Sequence, residues 1–201
     1  MLQGIWQYIY VSLVDRDNVE GLYEAVQLYG SCDMEEAQGF ISALVKLAEK
    51  GNIRAYDNIL KLAAFDNLTL GCCWDQIVKF MFQMEDSQIA EQSSFDMSII
   101  DQILTATSGL PQQKFVEFLQ QFCNFSSSDF RDSKYDRELF VLKHTIEIVE
   151  YNLGRLRALW AVVWPLLQDF FVKLCLHPRS NIGMAAIDSL KQLTLKLMRI
   201  P

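Results

Sequence analysis

Apolar residues recur at steps of three and four along almost the whole chain, and no stretch alternates apolar and polar residues as a half-buried strand would. This period predicts a succession of amphipathic helices. Asp33-Met34-Glu35-Glu36 has the form of a capping box, with Asp33 at the N-cap and Glu36 three residues on. It opens a helix carrying Phe40, Leu44 and Leu47 on one face, closed by Gly51 at the C′ position. Ile53, Tyr56, Leu60 and Ala63 mark a second helix. Asp66-Asn67 reads as a turn, and Trp74, Ile77, Val78 and Met81 mark a third helix. Ile99, Ile100, Ile103 and Leu104 mark the next, ending at Ser108-Gly109. Pro111 then sits where a first-turn proline belongs, its missing N–H costing nothing there, ahead of a buried stripe of Phe115, Phe118, Leu119 and Phe122.

Ser126-Ser127-Ser128-Asp129 and the charged stretch to Arg137 predict a loop. Three strong stripes follow it. They are Leu139, Leu142, Ile146, Val149 and Leu153; then Leu156, Trp160, Val163, Leu167, Phe170 and Leu174; then Ile182, Ala186, Leu190, Leu193 and Leu197. Pro165 would cost about 3 kcal/mol in a helix interior. A helix start between Trp160 and Pro165 is therefore expected, with the proline in the first turn. Helices of this length joined by short turns predict an all-α fold. No repeat of fixed period stands out, so the expected architecture is an irregular α-solenoid of HEAT/armadillo-like helical repeats, forming a single domain over residues 1–201.

Composition narrows the function classes. Of 201 residues 51% are hydrophobic, enough to bury a core, and the net charge is -7. An acidic chain lacks the positive field that drives phosphate-backbone binding, so no nucleic-acid partner is expected. The charge is uneven: residues 1–128 hold seven Lys and Arg against seventeen Asp and Glu, whereas residues 129–201 hold eleven against eight. An acidic first part and a mildly basic last part follow. The odd set Cys32, Cys72, Cys73, Cys123 and Cys175, with no C-x-x-C, fits neither a disulfide framework nor a zinc site; buried free thiols in a reducing compartment are expected. The longest apolar run, Ala158 to Leu167, is far short of the ~20 residues a membrane crossing needs. The aromatic segment Met1–Val14 reads as a packed first helix or an amphipathic membrane contact.

Enzyme signatures are missing: no G-x-S-x-G, P-loop, G-x-G-x-x-G or H-E-x-x-H occurs. The two histidines, His144 and His177, are a thin supply for acid–base or metal chemistry, and structural or surface roles are expected for both. No catalytic residue, metal ligand set or cofactor is predicted. The densest polar cluster is Tyr151-Asn152-Leu153-Gly154-Arg155-Leu156-Arg157-Ala158-Leu159-Trp160, expected at an interhelical corner. Arginine offers a planar fork for carboxylates and helix-end carbonyls, and Arg with Trp dominates binding hot spots. Two roles stay open for Tyr151, Asn152, Arg155 and Arg157: capping and core filling, or contact with a partner.

The order Tyr151-Asn152-x-Gly154-Arg155-x-Arg157-x-x-Trp160-x-x-x-Trp164, then Asp169-x-Phe171-x-Lys173, then Ala186-x-Asp188-Ser189-Leu190-x-Gln192-Leu193-x-x-Lys196 resembles the large Arf guanine-nucleotide exchange factors of the trans-Golgi BIG/Sec-seven branch. In that family this block belongs to the first region of homology downstream of the catalytic Sec-seven domain. Asp66-x-x-x-Leu70-x-x-x-x-Trp74-x-x-Ile77 and Phe115-Val116-x-Phe118-Leu119-x-x-Phe122-Cys123 resemble the preceding helices more loosely, so the match is strong over 129–201 and weaker over 1–128. Relatives carry Ser-Arg between the two tryptophans where this chain has Ala161-Val162, and an ordinary helix former at Pro165.

The resemblance implies a non-catalytic regulatory domain, since nothing in the chain corresponds to the Sec-seven domain. The implied partners are an Arf-family GTPase in its GTP form, the membrane surface and other domains of the parent chain, with a cytoplasmic, peripheral trans-Golgi location. It implies control of autoinhibition and recruitment in vesicle trafficking. The alternative is an intramolecular helical scaffold that docks neighbouring domains without touching Arf.

Overall fold

The computed structural model describes residues 11–13, 16, 18–29, 34–65, 73–85, 98–125 and 137–198. Among them there is no strand. In chain order the helices are α1 (Val19–Tyr29), α2 (Met34–Glu49), α3 (Ile53–Phe65), α4 (Trp74–Glu85), α5 (Ser98–Ala106), α6 (Gln112–Phe125), α7 (Arg137–Cys175) and α8 (Ser180–Leu197), with a 3₁₀ turn at Thr107–Gly109. The chain divides into two compact units, Met1–Ile103 and Leu104–Pro201. The capping box at Asp33, the turn at Asp66-Asn67, the loop over 126–136, Cys32, Cys72 and most of Met1–Val14 lie outside the described residues.

In the first unit α2 packs on α1 and α3, α4 packs on α3, and α1 also reaches α3. Sequential packing of this kind, with contacts to the next helix but one, is how helical repeats bury a continuous core. Phe40, Leu44, Leu47, Tyr56, Leu60, Ala63, Trp74, Ile77, Val78 and Met81 are all buried, as the periodicity predicts; Ile53 is half-buried. The end of α2 is a Schellman motif. Gly51 takes φ +89°, its N–H donates to the Ala48 carbonyl at 2.9 Å, and the Asn52 N–H donates to the Leu47 carbonyl at 3.1 Å. Tyr56 donates its hydroxyl to the Phe80 carbonyl, which ties α3 to α4.

In the second unit α6 and α8 both pack against α7. Phe115, Phe118, Leu119 and Phe122 form the buried side of α6. Pro111 lies one residue ahead of that helix rather than inside it, and its carbonyl accepts the first helical bond, from Phe115 N–H at 2.9 Å. Phe122 continues into Phe140 of α7, ring centroids 5.9 Å apart. His144 belongs to this core: it lies edge-on to the Phe140 ring at 4.6 Å, with its Nδ1 on the Glu147 carboxylate. Leu142, Ile146 and Val149 of the predicted α7 stripe are buried, with Phe140, Val141, Ile148 and Asn152 beside them, whereas Leu139 is exposed and Leu153 half-buried. Cys73 and Cys123 are buried as expected, whereas Cys175 is only partly covered.

Residues Arg137–Cys175 all carry helical backbone, Pro165 among them, so no non-helical residue marks the expected helix start between Trp160 and Pro165. The proline is tolerated because its neighbourhood is wet. Ala161, Val162 and Pro165 are all exposed, so water can reach the Ala161 carbonyl that loses its donor, while Val163, Leu167, Phe170, Phe171 and Leu174 hold the segment in the core. The helical run is nonetheless not straight. Thirty-nine helical residues in line would separate its ends by about 58 Å. Glu138, at its start, accepts a hydrogen bond at 3.1 Å from Arg179, beyond its end. Glu150 pairs with Lys196 near the far end of α8. The run therefore folds back into two limbs, with α8 alongside. Gly183 makes the close approach at the base of α8: a Cβ there would stand 3.2 Å from the Cys175 carbonyl oxygen.

Candidate functional site

The cluster Tyr151–Trp160 lies in the middle of α7, within helical backbone rather than at an interhelical turn. Four residues after Ile148, Asn152 donates from Nδ2 to the Ile148 carbonyl at 2.8 Å and to the Thr107 hydroxyl at 2.9 Å. Thr107 in turn donates its hydroxyl to the Leu104 carbonyl at 2.6 Å. Asn152 and Thr107 are both buried, so each polar atom in this chain replaces a water it cannot reach.

One turn on, Arg155 spreads its guanidinium across the end of the 3₁₀ turn. Nη1 donates to the Thr107 carbonyl at 3.1 Å and to the Ser108 carbonyl at 2.7 Å, and Nη2 donates to the Leu110 carbonyl. Helix C-termini leave carbonyls unpaired and carry partial negative charge, so a cation with several fixed donors suits this end twice over. The same group lies 5.3 Å above the centroid of the buried Phe115 ring, a cation–π contact from α6. Asn152 and Arg155 thus bring together the end of α5, the start of α6 and the first limb of α7.

Tyr151 is exposed, and so is Gly154, around which a Cβ would meet nothing within 4 Å. The side chains of Leu156, Arg157 and Trp160 lie outside the described residues. Of the four candidate residues, the structure joins Asn152 and Arg155 in one network and leaves Tyr151 on the surface. Thr107 is the member that residue pattern did not single out. Its signal was a Thr-Ser-Gly helix end with no charged residue of its own to cap it.

No family model matches the chain. Individual proteins do. Brefeldin A-inhibited guanine nucleotide-exchange protein 1 of Homo sapiens is 30% identical over 126 residues, which is 62% of this chain and 6% of that protein. Protein 1 of the same name from Arabidopsis thaliana is 25% identical over 209 residues, 98% of this chain and 12% of its own length. Arabidopsis protein 3 is 34% identical over 103 residues, covering 51% of this chain. The chain is similar to one segment of these much longer guanine nucleotide-exchange proteins. It spans 6% to 12% of the length of these relatives.

Away from this cluster, the first unit holds a cavity of about 280 Å³ at the α2–α3 turn, lined by Gly51, Asn52, Tyr56, Lys79, Phe80 and Gln83. Burial and then the charge of Asp57 push the Tyr56 hydroxyl pKa upward, so it stays a neutral donor to Phe80. Burial alone pushes the Cys123 thiol up to about 12. Both effects mark core groups rather than reactive ones. Among the described residues no helix is long and apolar enough to cross a membrane.

Proposed function

We propose that this chain is a non-catalytic regulatory region of an Arf guanine-nucleotide exchange factor, corresponding to the first homology region downstream of the Sec-seven domain. In this reading it binds activated Arf-GTP at the Golgi membrane surface and controls autoinhibition and recruitment in vesicle transport. The observation that carries the reading is the coverage: 98% of the chain aligns with an exchange protein of which it makes up only 12%. Linkage supplies the physics. A ligand that favours the open, membrane-docked state shifts the equilibrium toward it by its differential affinity. Arf-GTP tethered to a bilayer presents itself at high effective concentration, so a weak contact suffices. The mildly basic residues 129–201 suit an anionic leaflet, at about 1 kcal/mol per well-placed Lys or Arg.

We place the partner contact on the corner formed by Tyr151, Asn152, Arg155 and Arg157. Tyr151 supplies exposed surface, while Asn152 and Arg155 hold the corner in shape. Flotation of the 201-residue chain with liposomes carrying Arf loaded with GTP or GDP tests this, and recovery only with the GTP form is expected.

One observation favours a second reading, an internal scaffold that docks neighbouring domains of the parent protein: the Arg155 guanidinium is already spread over three carbonyls of its own chain. That reading expects Arg155→Ala with Arg157→Ala to alter basal exchange by the parent protein while leaving the Arf-GTP affinity of this segment unchanged.

A further inference from the structure

Helix α8 has two apolar faces. Ile182, Ala186 and Leu193 are buried on one, facing α7. Met184, Ile187, Leu195 and Met198 stand exposed on the other, at 61%, 52%, 49% and 78%. At 3.6 residues per turn these four fall within an arc of about 80°, roughly opposite the buried stripe. A helix that only closes a fold shows polar residues there, and contiguous exposed apolar surface marks an interaction site.

The charges set into this face point to its occupant. They are Asp188 and Lys191, one of each sign, both exposed. Turning a second copy of the helix end for end about the midpoint between them sets Asp188 of each copy beside Lys191 of the other. The same operation sets Met184 beside Leu195. A bilayer-facing helix would flank its apolar stripe with several Lys and Arg instead. We propose that the outward face of α8 pairs antiparallel with the same face of a second copy of this chain, making an isologous two-fold contact. This pairing is independent of any Arf or membrane contact.

The test is the mass of the full 201-residue chain by light scattering across a concentration series, with helix content followed by circular dichroism. The chain is expected to pass from the mass of one copy to that of two as concentration rises. Asp188→Lys alone, or Lys191→Asp alone, juxtaposes like charges twice across the two-fold and is expected to weaken the dimer by about tenfold or more. The double variant carrying both reversals restores opposite pairs and is expected to return to within about threefold of the original. Met184→Glu is expected to abolish the dimer without loss of helix. A chain that stays single at every concentration overturns the proposal. So does a dimer indifferent to Met184→Glu and both single reversals, or one that the double reversal fails to restore.

Discussion

Glu138 and Arg179, forty-one residues apart, meet at 3.1 Å. That one contact fixes the path of α7, since the helical run between them would otherwise keep its ends about 58 Å apart. His177 also approaches Glu138, at 3.7 Å, so two basic residues of the α7–α8 turn close on one carboxylate. The Arg179–Glu138 pair is half open to water and is worth at most about 1 kcal/mol. Its value is diagnostic. Glu138→Cys with Arg179→Cys is expected to be joined within one chain by a short bifunctional maleimide spanning about the combined reach of the two replaced side chains, seen as monomeric protein with a single 138–179 cross-linked peptide. A straight α7 would leave the two thiols unlinked.

The Asn152–Thr107–Arg155 network predicts a graded loss of stability. Asn152→Ala is expected to cost about 1–3 kcal/mol, because it strips a buried amide from two acceptors. Arg155→Ala is expected to cost about 1–2 kcal/mol through the three carbonyls it leaves and the Phe115 face it uncovers. Arg155→Lys should recover less than half of that, since one ammonium cannot span three carbonyls. Urea midpoints at constant slope measure all three.

Pro165 is exposed and interior to a helical run. Pro165→Ala restores a donor for the Ala161 carbonyl and removes the ring clash, so stability is expected to rise by about 1–3 kcal/mol. Thermal unfolding reads this as an increase in Tm, and a decrease would mean that the proline sets the reversal of the chain.

Burial raises the Cys123 thiol from 9.0 to about 12, and the Tyr56 hydroxyl rises as well. A raised folded-state pKa means that the folded protein holds its proton where the unfolded chain releases it. The associated stability is complete below pH 9 and drains away as pH climbs from 9 toward 12. Denaturation midpoints should accordingly fall across that window, and Cys123 should resist iodoacetamide at pH 8 until the protein is unfolded.

The helical period carried most of the fold, because each helix meets its sequence neighbours and buries a stripe set by local spacing. Gly51 was legible for the same reason: a Schellman cap is written in the residues that form it. Where prediction and structure part, the cause is tertiary. Pro165 argued for a helix start on local cost; the run does reverse between Glu138 and Arg179, but helical backbone continues through the proline, with Val163, Leu167 and Leu174 buried around it. Leu142, Ile146 and Val149 are buried as their spacing predicts, but Leu139 at the head of that stripe is exposed, and Phe140 meets Phe122 of α6 in its place. At the candidate site Arg155 was legible as a capping group. Its target was not, since Thr107 lies forty-eight residues away and only the packing of the 3₁₀ turn on α7 brings it near.

In the function proposed above, this segment answers to the nucleotide state of Arf at a membrane. Quantitative flotation of the chain on anionic liposomes bearing Arf, with Tyr151→Ala and Arg157→Ala beside the unaltered chain, addresses it most directly. Recovery that is several-fold greater with Arf-GTP than with Arf-GDP, and that both variants reduce without loss of helix content, is the predicted result. Equal recovery in the two nucleotide states, or none in either, would contradict it.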